Sequence, residues 1–456
     1  MNVLRRNSPS RYKLQQLGSN SRWKDVSKYF PIDGSVLEAL INLDLIRAKN
    51  LSPADLDSLE EADPSRFRYA FRRVFSQVVA TPQLSQVDAW RDYFDNFVQV
   101  SSNKYVKFLQ STLRLLSTVL QLGIDNKSQS QAIHSALTAI NADQAQHSST
   151  SEQIAYFLIE GKLLSYVDRN AAAQAFARAI HLDSSGLIEH FYIDMGAYTY
   201  FGSDDQSSSP LTKEIQQSIE SIQWTTPVNS LATVVSVDPH FFRIYAPQLY
   251  LFAQQLPELD VVILLCGEPE EVAEVHKDGE KYLEYLARLN RSGIPKNIQY
   301  LRVPVPPTVV QPKTFFACAR FFAAEQVLQQ YERVYVMDVD LTVEDNPRPY
   351  FERIKKVTFG TATNQDSSTL SPWRRNLAGN VALQGEVALK QVLPDLLKYI
   401  AHGLVRDHSW MLDQNALTFT AEQHPEMYTP LESFKRPFNQ LKFRATLEKR
   451  YFDGLR

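Results

Sequence analysis

The pattern of hydrophobic and polar positions changes character about half-way along the chain. Before residue 225 the apolar positions recur at helical spacing. In YVKFLQSTLRLLSTVLQL, residues 105–122, Phe108, Leu109, Leu113, Leu116, Val119 and Leu120 share one face, and Gly123 supplies a stop. Two further amphipathic segments, QIAYFLIEGKLLSYVDR and AAAQAFARAIHLD, fill residues 153–182. Polar breaks follow at 143–152 and 202–210, and the second, GSDDQSSSP, is the expected linker.

Past residue 225 short apolar runs alternate with helical patterns. Strands are expected at 231–238, 260–267, 297–305 and 333–337, with helices at 241–256, 269–290 and 314–331 between them. That alternation predicts an α/β domain with a largely parallel, doubly wound sheet over 226–456, preceded by an all-α domain over 1–225. In such sheets ligands bind beyond the carboxyl ends of the strands. The alanine-rich segment of the helical half, with Ala175, Phe176, Ala179 and Ile180, resembles the second helix of a tetratricopeptide repeat. No further copies occur at that period, so a single hairpin is expected, with partner or acceptor binding as the role that the resemblance implies.

Composition narrows the function classes. A chain of 456 residues with 44% hydrophobic and 22% charged residues reads as globular and as more than one domain. The net charge of -3 gives no support for nucleic-acid binding. Two cysteines, Cys266 and Cys318, far apart in apolar stretches, argue against a disulfide scaffold and suit a reducing compartment. The basic N-terminus is not followed by the apolar run of a signal peptide, and no stretch is long enough to span a bilayer, so the expectation is cytoplasmic residence.

The chemistry concentrates in YERVYVMDVDLTVEDNP, residues 331–347, where a strand delivers Asp338 and Asp340 at its end. Two carboxylates there need a cationic partner. One reading makes Asp338 the nucleophile of a haloacid-dehalogenase-like phosphatase. In the other, Asp338 and Asp340 hold Mn2+ or Mg2+ against the diphosphate of a nucleotide-sugar, since hard carboxylate oxygens suit those ions. No G-x-G-x-x-G follows the first strand and no G-x-x-x-x-G-K-[ST] occurs, so the glycine-rich phosphate cradles are absent. The phosphatase pattern normally opens with its Asp-x-Asp strand. Here three strand-helix units precede it, and no Gly-Asp-x-x-x-Asp pattern follows.

Residues 231–420 resemble the nucleotide-diphospho-sugar transferases of the GT-A fold, nearest to glycosyltransferase family 8. The resemblance rests on VVSVDPHFFRIYAPQLYLF, CARFFAAEQVLQQYERVYVMDVDLTV, NLAGNVAL (376–383) and WMLDQNAL (410–417), in that order. It implies a metal-dependent glycosyltransferase that moves a sugar, from UDP-sugar by preference, to an acceptor hydroxyl on a protein, glycan or lipid-linked glycan. Retention of configuration is the course the family implies. The rival from another class is a non-catalytic scaffold carrying a degenerate transferase domain.

The resemblance also assigns roles. Asp338 and Asp340 are the metal residues, with Asp338 also touching the donor. Asp238, Arg320 and Lys435 are donor contacts, and Asp413, Gln414 and Asn380 are the catalytic or sugar-binding residues. Each has a purely structural counterpart: Asp238 before Pro239 suits a helix cap, Arg320 an exposed helix position, and Asp413 a helix N-terminus. Asn380 would be a turn residue after Gly379, and Lys435 a lysine packing its stem between aromatics. The chain departs from family 8 at its end, where FKRPF (434–438) stands in place of His-x-x-Gly-x-x-Lys-Pro-Trp and His424 lies upstream. No third metal ligand is legible.

Overall fold

The computed structural model describes residues 60–440, apart from 62, 80–81, 99–102, 125–129, 145–148, 192–194, 204–209, 228, 290, 292, 344–345, 364–370 and 432–436. The chain divides into two compact units, 1–203 with 365–372 and 204–364 with 373–456.

The first unit is helical. Its described helices are α1 (Pro64–Val78), α2 (Leu84–Val98), α3 (Lys104–Gln121), α4 (Ser130–Gln144), α5 (Thr150–Leu164), α6 (Arg169–Leu182) and the short α7 (Leu187–Phe191). Local chemistry sets their ends. Asn103 caps α3 by accepting from the backbone N–H groups of Tyr105 and Val106, and Asp168 caps α6 by accepting from Ala171. At the start of α5 the backbone N–H of Ser149 donates to Glu152 at 3.0 Å, one half of a capping box. The face of α3 read from sequence is the buried one, including Phe108, Leu109, Leu113 and Leu116. On α6 the small residues Ala172, Ala175 and Ala179 are buried with Phe176, and α6 packs along α5.

The second unit is a mixed α/β fold built on an eight-stranded sheet. Four strands, β2 (Leu231–Val237), β3 (Asp260–Cys266), β4 (Ile298–Val303) and β5 (Arg333–Met337), pair in parallel in the order β4-β3-β2-β5. They are near-continuous apolar runs because both faces are covered. Helices α9 (Pro239–Gln255) and α10 (Pro269–Leu289) bury Phe242, Leu249, Tyr250, Val272 and Val275 against Val235, Val237, Ile263 and Leu265. Helix α11 (Pro312–Leu328) packs on β2 and β5, and also against α13 (Leu393–Leu404) and α14 (Leu412–Gln423). Each large apolar side chain buried this way contributes about 1.5–3 kcal/mol.

Antiparallel strands flank the parallel centre of the sheet. Strand β1 (Glu220–Gln223) runs antiparallel to β4, and β8 (Asn376–Gln384) antiparallel to both β5 and β7 (Phe359–Thr363). Strand β9 (Tyr428–Pro430) closes the sheet parallel to β7. Strand β1 and helix α8 (Pro210–Ser218) belong to this unit. A separate two-stranded ladder joins β6 (Leu341–Val343), just past the Asp338 turn, to β10 (Phe438–Gln440) near the end of the described chain.

The winding of the chain positions the site. From β2 it moves outward through β3 to β4, then α11 carries it back to β5 on the other side of β2. The strand order therefore reverses between β2 and β5, and in sheets of this kind ligands bind beyond the carboxyl ends of the strands at such a point. Asp238 and Asp338 are the first residues past those two neighbouring strands.

Candidate active site

Strand β5 ends at Met337, and the chain turns at once: the backbone N–H of Leu341 donates to the carbonyl of Asp338 at 3.3 Å. Asp338 and Asp340 thus bracket a tight turn instead of continuing a strand. Gln248, from the middle of α9, holds the turn from below. Its amide nitrogen donates to the carbonyls of Val339 and Leu341, the residues on either side of Asp340.

Arg320 joins the pieces. It lies on α11 with 4% of its surface exposed, and its guanidinium donates one arm to Asp338 Oδ1 and the other to Asp413 Oδ2 at 3.0 Å. The planar fork of arginine can hold two carboxylates at fixed separation, which a lysine cannot. Asp413 stands in the first turn of α14, 9% exposed, and its Oδ1 accepts the backbone N–H of Gln414 at 2.9 Å. Burial alone would lower the Arg320 pKa, but Asp338 and Asp413 together raise it above the ordinary arginine value. Burial pushes the Asp413 carboxyl up, and the charge of Asp338 outlasts part of the relief from Arg320. Two carboxylates share one guanidinium, so the ionised triad carries an excess negative charge even before Asp340 is added.

The second oxygen of Asp338 occupies a cradle. A Cβ placed on Gly379 of β8 would fall 2.0 Å from Asp338 Oδ2 and 2.6 Å from Cγ. Only glycine leaves room for the carboxylate there, a known use of glycine inside a strand. Asp338 Oδ2 makes no hydrogen bond among the described residues, and the side chain is 35% exposed. Oδ2 sits against the backbone of β8 at Gly379, while its partner oxygen is held by Arg320.

The turn before α14 is strained. The backbone N–H of Leu412 donates to the carbonyl of Ser409 at 3.1 Å, closing Ser409–Leu412, while Met411 sits at φ 70° and His408 at φ 57°. Such values cost a non-glycine residue of order 1–3 kcal/mol each and persist only where the surroundings enforce them.

Among the residues singled out from sequence, Asp338, Asp413 and Arg320 come together, with Asp340 on the same turn. Others do not. Asn380 sits on the opposite face of the sheet from Asp338, because it is paired across from Met337; its Oδ1 accepts from Tyr335 at 2.8 Å within the core. Its side chain is engaged in the core with Tyr335 and is not brought to the Asp338–Arg320–Asp413 cluster. Asp238 caps α9 by accepting from Phe241 at 2.8 Å, the structural role weighed for it. Gln414 is half-buried, and its side-chain oxygen is enclosed without a partner among the described residues. Lys435 lies outside the described residues. His424 pairs with Asp395 at 2.9 Å. Sequence reasoning missed Gln248 and Gly379 as partners of the motif; a glycine inside an apolar strand and a glutamine in the middle of an aromatic-rich helix were the signals available.

The residues fit a divalent cation in kind. Among the described residues no group of three or more His, Cys, Asp or Glu forms a preformed cage. Magnesium and manganese need none: they bind through one or two carboxylates and complete their shell with water and substrate phosphate. Asp338 Oδ2, lying against Gly379, and the Asp340 carboxyl are the oxygens that would be offered to such an ion.

No protein-family model matches the chain, and no curated protein sequence does. Comparison with solved structures returns mouse xyloside xylosyltransferase 1 in its apo form, with 15% identity and a TM-score of 0.29 over 45% of this chain and 85% of that one. It also returns the glycosyltransferase GlyE of Streptococcus pneumoniae, with 13% identity, 46% of each chain covered and a TM-score of 0.29. The galactosyltransferase LgtC, in complex with donor and acceptor sugar analogs, overlaps at 13% identity and TM-score 0.27 over 42% of this chain and 69% of that one. Scores of this size leave the functional reading to the site itself.

Proposed function

We propose that the second unit transfers a sugar from a nucleoside-diphosphate sugar, UDP-sugar by preference, to an acceptor hydroxyl, with Mn2+ or Mg2+ bound by Asp338 and Asp340. The observation that carries this reading is the Arg320 bridge. It holds Asp338 at the switch point of the sheet, with one oxygen committed to the guanidinium and the other, without a hydrogen bond among the described residues, lying over Gly379. An ordinary surface turn would not need a buried arginine and a glycine cradle to aim one carboxylate.

A bound divalent cation would neutralise the diphosphate and stabilise the departing nucleoside diphosphate. The protein's own residues orient and exclude. Gln248 fixes the carbonyls on both sides of Asp340, so that carboxylate is presented from a held backbone. Arg320 restrains Asp338 and Asp413 together, so donor and acceptor sides keep one geometry. Both oxygens of Asp413 are already engaged, by Arg320 and by the N–H of Gln414. Asp413 is thereby suited to receive sugar hydroxyls rather than to abstract a proton, in keeping with a retaining course. Asp238, with one oxygen spent on its helix cap, offers the other to the base or ribose. The helical unit is assigned the recruitment of a protein partner or a macromolecular acceptor.

A thermal-shift panel of nucleoside diphosphates with and without MnCl2 tests this reading. A rise in Tm with UDP that requires the metal is expected, whereas no stabilisation by any nucleoside diphosphate would contradict it.

A further inference from the structure

The turn that precedes Asp413 displays an aromatic ring. Trp410 is 41% exposed, while its neighbours Ser409 and Leu412 are fully buried. The other described tryptophans are accounted for. Trp90 and Trp373 are buried, and Trp224 packs on Tyr331 and donates to Gln330. Trp410 makes no hydrogen bond and no ring contact among the described residues.

Its placement is held from several sides. The backbone N–H and the hydroxyl of Ser409 both donate to Gln311 Oε1, at 3.1 and 3.3 Å. Gln311 is the N-cap residue of α11, the helix that carries Arg320. The next residue back, Val310, is 47% exposed, and its N–H donates to the carbonyl of Leu404 at 3.2 Å. Helix α11 begins soon after the carboxyl end of β4, so Val310, Gln311 and the Trp410 turn lie along the edge of the sheet where β5 delivers Asp338. Two left-handed non-glycine residues, His408 and Met411, flank the ring. A strained, hydrogen-bonded turn thus keeps a large ring in water three residues before Asp413. Nothing in the core gains from that exposure.

We propose that Trp410 is an acceptor-sugar platform: a pyranose of the acceptor stacks its C–H face on the indole while its hydroxyls reach Asp413. This rests on the transferase reading and narrows it, since the acceptor is then a glycan end and not a bare amino-acid side chain. A sugar ring is apolar on one face and polar around its rim. The juxtaposition of an exposed indole, an exposed Val310 and a carboxylate–guanidinium triad matches both parts. Pre-ordering the ring on a rigid turn removes part of the ordering cost of binding.

The test uses the full chain, labelled and applied to a printed array of mono- and oligosaccharides in the presence of UDP and MnCl2. Wild type should retain at least one glycan, Trp410→Ala should retain it at least about tenfold more weakly, and Trp410→Phe should recover part of the signal. Circular dichroism of both variants checks their fold, which an exposed side chain should not disturb. Equal retention by Trp410→Ala and wild type would overturn the platform. So would nucleotide binding by wild type with no glycan retained. Failure of wild type to bind UDP in the same buffer overturns the transferase reading itself, and the platform with it.

Discussion

Gly379 and Asp338 compete for one volume: a Cβ on the glycine would fall 2.0 Å from the carboxylate oxygen Oδ2 of the aspartate. The obstruction is a bridged carboxylate, not the loose end of a flexible side chain, so it cannot swing aside while Arg320 holds it. Gly379→Ala should displace Asp338, cost about 1–3 kcal/mol of stability through overpacking, and abolish turnover of donor. Urea unfolding gives the first quantity and UDP-sugar hydrolysis the second.

Arg320 is expected to contribute to folding as well as to the site. Replacing it with Met leaves Asp413 buried without its counter-charge, at a cost of roughly 3–5 kcal/mol for a broken buried pair. The arm to Asp338 is partly solvated and adds little to that figure. Adding Asp413→Asn to Arg320→Met should recover part of the loss, because the uncompensated charge disappears. Chemical denaturation of the two single variants and the double variant reads the coupling directly.

Gln248 is expected to act through Asp340. Gln248→Met keeps side-chain volume and removes the donor to the Val339 and Leu341 carbonyls. The metal-dependent part of UDP binding should weaken by about tenfold or more, with metal-independent binding unchanged. A merely structural role would lower Tm and leave the metal dependence of binding as it is in wild type.

The turn and the strands around it were legible because their signals are local. Asp338-x-Asp340 follows an apolar run, and the first strands show both-face burial as near-continuous hydrophobic stretches. Arg320 and Asp413 lie 93 positions apart, and nothing in periodicity pairs them; only the return of α11 beneath β5 and the start of α14 bring them within 3.0 Å. The face that Asn380 takes is decided by strand register, which the sequence does not show. One residue away, Gly379 faces the carboxylate while Asn380 faces Tyr335. The antiparallel flanks escaped notice because β1 is short and polar and β8 carries a glycine that weakens its strand pattern.

His276 gives the second unit an acid-sensitive point. Its Nε2 is buried without a partner among the described residues, and its ring meets Tyr300 edge-on at 4.5 Å. Burial lowers its pKa below the ordinary histidine value, with only partial relief from Glu280. The folded state then binds fewer protons than the unfolded state between the lowered and the ordinary value. Stability should therefore be fully present above the ordinary value and be lost as pH falls through that window. Urea midpoints measured from pH 7 down to pH 5 should fall less steeply in His276→Phe than in wild type.

Cation-dependent nucleotide binding at the Asp338–Asp340 turn is tested most directly by calorimetric titration of UDP into wild type and Asp340→Ala, each with and without MnCl2. Wild type should bind UDP more tightly with manganese than without. Asp340→Ala should bind alike in both conditions, at the metal-free wild-type level, while keeping its fold. Equal UDP affinity of wild type and Asp340→Ala in the presence of manganese would contradict the assignment of these carboxylates to the metal and the donor diphosphate.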